Sequence, residues 1–206
     1  MRETKLPNKT SESKYRDAFY MLFGFVALIW LIEVVDAIFF NGSLDRFGVN
    51  PRRLGGLWGI AFMPFLHGSF GHLASNTLPF IILGGMIMLQ GKRYFVLASM
   101  VILLVSGSMV WLLGSSESVH IGASGLVFGY FGYLLGRAWF VRSPGAISLA
   151  VVVLFFYGGL IWGLRPFQDG VSWLGHLGGF FGGVASVWLM MGQGRGVKKT
   201  ASFNLG

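Results

Sequence analysis

The sequence predicts an all-α integral membrane protein, a bundle of six transmembrane helices. Three observations lead there. Hydrophobic residues make up 54% of the 206 and charged ones only 12%, about half the roughly 25% charged share of a soluble chain, so a solvated surface cannot be assembled from them. Six apolar stretches approach the roughly 17 to 25 residues needed to cross a hydrocarbon core about 30 Å thick. Glycine supplies 32 residues without any G-X-Y period, which excludes collagen and fits close helix packing in a bilayer.

Each element follows from a local feature. The first span, Ala18 to Phe40, comes after the polar lead 1–17 and carries Glu33 and Asp36, which sets it apart from a cleaved signal peptide. The connection Asn41 to His72 is too long for a turn and too apolar for a solvated loop. Its Leu54, Trp58, Phe62 and Phe65 mark short helices lying in the interface. Leu73 to Gln90 and Tyr94 to Leu113 are the second and third spans, separated by Lys92 and Arg93. The fourth, fifth and sixth run Ser124 to Val141, Ala146 to Gly163 and Trp173 to Met191. Residues 18–191 thus form one domain between basic tails 1–17 and 192–206, with no internal repeat and no connection long enough for a second domain. Trp58, Trp111, Trp162 and Trp173 fall near the outer boundaries, as an aromatic belt does.

Basic residues orient the bundle. Twelve lie in the two tails and in the second-to-third and fourth-to-fifth connections, against four (Arg46, Arg52, Arg53 and Arg165) on the other side. That asymmetry places both termini in the cytoplasm, with the protein in the cell's inner membrane. An odd span count would put the tails on opposite sides and spoil it.

Composition also limits the chemistry. With no Cys and four His that lack the close spacing of a zinc hydrolase, disulfides and thiolate catalysis are excluded, and no metal or other cofactor is expected. The net charge of +8 would suggest nucleic acid for a soluble chain. Here it is distributed among membrane loops, and no nucleic-acid partner is expected.

In a membrane chain the polar exceptions carry the information, because such groups are costly in hydrocarbon. His67, His72 and Asn76 cluster around the start of the second span, Ser124 opens the fourth and His176 opens the sixth. Asn76 stands 16 residues before Lys92, Ser124 13 before Arg137 and His176 19 before Arg195. At about 1.5 Å per residue all three lie about 20 to 28 Å from the cytoplasmic charges, in the outer third of the core. Ser124 and His176 occupy equivalent positions on parallel helices. Gly125, Gly129, Gly132 and Gly136 form a stripe on the fourth span, and Gly179 and Gly183 repeat a small-xxx-small pattern on the side of the sixth that presents His176. Backbones approach closely there, and a hydroxyl can meet an imidazole.

Such a pair suits nucleophilic acyl transfer, with Ser124 as nucleophile and His176 as base. No carboxylate is placed as a third member, since Glu117 and Asp169 lie in outer loops. Oxyanion donors are the backbone N–H of Ser124 and the side chains of Asn76 and His72, four residues apart on one helical face. His120 is assigned to its loop. Glu33 and Asp36 are expected near the outer interface, bonded to loop backbone or to Arg52 and Arg53.

These residues resemble the rhomboid family of intramembrane serine proteases. The resemblance covers about Glu33 to Gly183. It rests on the run Pro64-Phe-Leu-His67-Gly-Ser-Phe-Gly-His72-Leu-Ala-Ser-Asn76, the string Gly122-Ala-Ser124-Gly125, and His176 followed by Gly179 and Gly183. It implies a six-helix bundle, a Ser124/His176 dyad, Asn76 and His72 at the oxyanion hole, and an outward cavity capped by Arg165 to Ser172. It also implies a structural role for His67, holding the loop onto the second helix. Trp58 is followed by Gly59 where many relatives carry a Trp-Arg pair, which leaves the anchoring of that loop open.

The function expected is cleavage of transmembrane protein substrates near the outer membrane face. A proteolytically inactive membrane chaperone or binding module is the alternative; a transporter through Glu33 and Asp36 lacks the broken, repeated helices it would need. Beyond such substrates and the lipid bilayer, neither partners nor oligomeric state is legible.

The charge asymmetry generates a direct test. Reporter fusions at the C-terminus should be active only on the cytoplasmic side. A C-tail accessible to protease from outside sealed cells would refute the topology and the depth estimate together.

Overall fold

The computed structural model describes residues 11–167 and 170–201, with side chains described over 16–167 and 170–191. Six principal helices run in chain order: α1 (Ser11–Val35), α2 (Phe70–Met88), α3 (Lys92–Leu113), α4 (Ser124–Val141), α5 (Pro144–Tyr157) and α6 (Trp173–Ala201). α1 continues through a π turn, Asp36–Phe40, and α5 tightens into a 3-10 segment, Gly158–Leu164. The basic tails 1–17 and 192–206 fall largely outside the described residues; α6 extends ten residues past the expected end of the last span at Met191.

Local chemistry sets the helix ends. Ser69 caps α2 by accepting from the His72 N–H at 3.1 Å, and Ser143 caps α5 by accepting from Ala146 at 3.2 Å. Pro144 follows at the first position of α5, where its missing N–H costs nothing. Gly91, at φ 147°, makes the reversal between α2 and α3 that a side chain would strain.

Among the described residues five stretches are long and apolar enough to cross a membrane: Arg16–Phe40, Phe70–Met88, Lys92–Leu113, Pro144–Leu164 and Trp173–Met191. α4 lies enclosed among them. Every residue from Ser124 through Leu134 is buried, so this helix meets protein rather than lipid and tolerates glycines, two tyrosines and Arg137. Tyr130, Phe131, Phe80, Ile102 and Leu83 fill the centre. The outer faces of α1, α3, α5 and α6 expose Phe19, Leu104, Phe155, Phe156 and Trp188 as lipid-facing side chains do.

The seam among α3, α4 and α6 is built on glycine. A Cβ on Gly179 would overlap the carbonyl oxygen of Gly125, one on Gly183 the carbonyl of Gly129, and one on Gly132 the carbonyl of Phe180. Neighbouring Gly178 and Gly182 turn the other way, where a Cβ would come within 2.8 Å of the Ser106 Cα and 2.9 Å of the Ile102 Cα on α3. The glycine stripe of α4 divides, correcting the single facing expected of it. Gly132 and Gly136 point to α6, whereas Gly125 and Gly129 point to Ser106 and Ile102 of α3. Ser106 then donates to the Gly175 carbonyl at 2.7 Å, a buried bond between α3 and α6.

The long first connection folds as short turns, Ser43–Phe47, Leu54–Leu57, Gly59–Phe62 and Met63–Phe65. Its anchor is Arg52, whose guanidinium donates to the Gly114 carbonyl at 2.7 Å while its backbone N–H donates to Trp111. Trp111 answers by donating its indole N–H to the Arg53 carbonyl at 2.9 Å. A residue larger than glycine at 59 would strike the Gly48 carbonyl. Asp36 accepts from the loop N–H of Leu44 at 3.1 Å, as expected of loop backbone. Arg52 serves the end of α3 and not the acidic pair.

Gly179→Val and Gly183→Val should therefore lose the folded, monodisperse protein or lower its Tm sharply, because backbone blocks the added atoms. Gly24→Ala on α1, where a Cβ meets nothing within 4 Å, should melt like the wild type. Thermal melting that failed to separate these substitutions would overturn the seam.

Candidate active site

Ser124 is the first residue of α4, and the loop before it is held from three sides. Gly122 donates its N–H to the Met63 carbonyl at 2.8 Å, and the Ala123 N–H donates to His67 Nε2 at 3.2 Å. Val49 and His120 exchange backbone bonds at 2.9 and 3.0 Å. Gly122 sits at φ 108°, and a Cβ there would lie 2.8 Å from the His72 ring, so both conformation and space require glycine. The hydroxyl of Ser124 is thereby delivered to the start of a helix, where backbone N–H groups lack intrahelical acceptors.

His176 reaches the same point from α6. Its Nε2 lies 2.9 Å from Ser124 Oγ, and its Nδ1 lies 2.9 Å from the Gly163 carbonyl. A carbonyl can only accept, so Nδ1 carries the proton and the unprotonated Nε2 accepts from the serine hydroxyl. The ring stacks on Phe128 at 4.0 Å between centroids, 7° from parallel. Both Ser124 and His176 are 9% exposed. The imidazole is fixed in tautomer by one bond and in plane by one ring.

This pair lies on the wall of a cavity of about 770 Å³. Asn76 and His72 of α2 line it opposite Phe128. The Asn76 amide spends one N–H on the His72 carbonyl at 3.1 Å, which leaves the other for a guest. Gly170, Val171 and Ser172 contribute the side next to α6. Ser172 Oγ is hydrogen-bonded to His120 Nδ1 at 2.7 Å, and His120 Nε2 to Ser118 Oγ at 2.9 Å, so His120 ties the loop before α4 to the loop before α6. Of the expected cap Arg165 to Ser172, residues 168 and 169, Asp169 among them, lie outside the described residues. An arrangement of hydroxyl, oriented neutral imidazole and amide donors around one cavity is equipped for acyl transfer.

The structure brings together Ser124, His176, Asn76 and His72 as the sequence suggested. Gly125, Gly179 and Gly183 lie in the helix seam beneath them. His67 meets the His72 ring on the second helix edge-on at 5.2 Å, and its Nε2 also accepts from the Ala123 N–H of the loop before α4, a partner that was not expected. Phe128 and Gly163 escaped sequence reasoning. One is a phenylalanine among 20 and the other a glycine among 32, and neither type signals contact with a histidine. Among the described residues no group of acidic or histidine side chains is arranged to hold a metal ion.

Fold and site together define a multi-pass helical membrane protein with a buried serine–histidine pair at one end of the bundle. The Rhomboid domain model matches residues 54–193, and the chain belongs to the rhomboid family. It is similar to an uncharacterized protein of Mycobacterium tuberculosis, 42% identical over 175 residues that cover 81% of this chain and 72% of the relative. An uncharacterized protein of Mycobacterium leprae is 39% identical over 174 residues, 81% of this chain and 68% of its own. RHOMBOID-like protein 5 of Arabidopsis thaliana is 30% identical over 149 residues, 68% of this chain and 47% of the plant protein.

Two loop histidines make stability depend on pH. Burial, and after it neighbouring His72, hold His67 down to about 3, and burial lowers His120. The unfolded chain takes up protons on these rings near 6.5, while the folded chain resists them, so stability falls as pH drops from about 6.5 towards 3. We expect Tm to decline across that window with a shallower slope in His67→Phe. At neutral pH the same variant should be destabilised by about 1 to 3 kcal/mol, since the Ala123 N–H loses its buried acceptor. An unchanged slope would remove His67 from the explanation.

Proposed function

We propose that this protein is an intramembrane serine endopeptidase that cleaves transmembrane segments of other proteins near the outer membrane face. The observation that carries the reading is the unbroken hydrogen-bonded series from Ser124 Oγ through the two ring nitrogens of His176 to the Gly163 carbonyl. His176 Nε2 takes the hydroxyl proton as Ser124 Oγ attacks the scissile carbonyl carbon. The oxyanion that forms is met by the Ser124 N–H, the Asn76 amide and His72. The imidazolium is held by the Gly163 carbonyl and by the face of Phe128, a cation–π contact. His176 then returns its proton to the leaving amine, the peptide bond breaks, and water repeats the sequence on the acyl-enzyme.

Substrate choice follows from the same chemistry. A helical segment shields its carbonyls in internal hydrogen bonds, so segments with small or helix-breaking residues near the outer face expose a bond most readily. The basic tails assign both termini to the cytoplasm and the chain to the inner membrane.

A fluorophosphonate probe separates this enzyme from an inactive scaffold of the same fold. Purified protein should be labelled at Ser124, with labelling abolished in Ser124→Ala and in His176→Ala. Asn76→Ala and His72→Ala should retain turnover reduced by about 10² to 10³. Ordinary peptidase activity in purified Ser124→Ala would refute the mechanism.

A further inference from the structure

The opposite end of the bundle holds a second cavity of about 440 Å³, for which the proposed reaction has no use. It lies where the turn between α2 and α3 meets the last turns of α4 and α6, and Gln90, Tyr94, Tyr133, Arg137, Val187 and Met190 line it. Arg137 is half-buried, four residues after Tyr133 and therefore on the same face of α4. No hydrogen bond or ion pair holds its guanidinium among the described residues. A cation that only needed water would snorkel along the helix to the interface. This one borders a recess instead.

The lining determines what would fill the recess. Tyr133 donates its hydroxyl to Gln90 Oε1 at 3.3 Å, and the Gln90 amide donates to the Met86 carbonyl at 3.2 Å. The Gln90 acceptor is thus occupied. The groups left to serve a guest are the five N–H donors of Arg137, the Tyr94 hydroxyl and the second Gln90 N–H. Among the described residues no acidic side chain lines the cavity, so its donors suit an anion with several acceptor oxygens, and a planar guanidinium matches phosphate two bonds at a time. Val141, Val187 and the methionines Met190 and Met191 make the rest of the wall apolar. A phosphate joined to an acyl chain fits that division better than a free ion does. Exposed Lys92, Arg93 and Arg142 stand at the same end of the bundle and raise the local concentration of such lipids.

We propose that this cavity seats the phosphate headgroup of an anionic phospholipid from the leaflet opposite Ser124, gripped by Arg137 and Tyr94 with its acyl chain along Val187 and Met190. The lipid closes the wedge between the α2–α3 turn and the ends of α4 and α6.

The test uses purified full-length protein in zwitterionic micelles titrated with phosphatidylglycerol, read by native mass spectrometry and by Tm. We expect a retained lipid adduct and a raised Tm, neither reproduced by phosphatidylcholine. Arg137→Gln should weaken binding about tenfold, the loss of one charge-assisted contact. Arg93→Gln, which removes an exposed charge at the same end, should change it by less than about twofold. Equal binding by Arg137→Gln, or an equal loss in Arg93→Gln, would overturn the site. Inorganic phosphate that binds alone and displaces the lipid adduct would overturn the lipid as its ligand. Should Arg137→Gln not fold, Tyr94→Phe decides: weakened phosphatidylglycerol binding supports the assignment, and unchanged binding rejects it.

Discussion

The contact of α4 with α6, backbone against backbone, is the constraint on which the rest of the structure depends. Lipid tails are as apolar as leucine, so helices in a bilayer gain little by hiding side chains from solvent and associate through close packing and hydrogen bonds. Glycines at 132, 136, 179 and 183 remove the side chains that would hold the two axes apart. At that separation a short hydroxyl and an imidazole meet at 2.9 Å without a long linker. Gly178, Gly182 and the Ser106 bond to Gly175 draw α3 into the same seam. The reactive pair is thus set by three helices at once, and each is braced by the other two.

Around this seam the loops at the Ser124 end of the bundle act as a frame. Arg52 and Trp111 staple the first connection to the end of α3, His67 and Met63 hold the strand before Ser124, and His120 joins Ser172 to Ser118. Most of these bonds involve backbone, as they must where irregular chain runs at the edge of a membrane and each unmet N–H or C=O is costly. Gly59 belongs to the frame in its own way. Its close approach to the Gly48 carbonyl packs one turn of the connection against another. The acidic residues take part as well: Glu33 and Asp36 are buried around the C-terminal end of α1, and Asp36 tethers Leu44. Burial and the neighbouring Asp36 raise Asp45 above the usual carboxylate range, which eases the crowding of negative charge there.

The two ends of the bundle are chemically opposite. Around Ser124 the polar lining is hydroxyls, imidazoles and an amide, groups able both to donate and to accept hydrogen bonds, the imidazoles also able to carry a proton. Around Arg137 it is lined by a fixed cation, phenols and methionine. Proton transfer suits the first and retention of an anion the second. α4 connects them, and its burial from Ser124 through Leu134 explains why it is the least membrane-like helix by composition while being the most enclosed by position.

By itself the sequence determined the class of protein, the six helical stretches, the relative depth of Ser124, His176, Asn76 and His72, and the spacing that lets glycine faces form. These follow from composition, period and charge, which are properties of single segments. What only the tertiary structure decided is which neighbour each face meets. A helical stripe specifies an angle and not a partner, so the division of Gly125 and Gly129 towards α3 from Gly132 and Gly136 towards α6 was not legible. Nor was the stacking of Phe128 or the acceptor role of Gly163, because a backbone carbonyl carries no residue signature and one aromatic side chain looks like any other in an apolar span. His67 was recognisable as structural from its motif, yet its partner Ala123 is 56 residues away and bonds through an N–H that every residue but proline possesses.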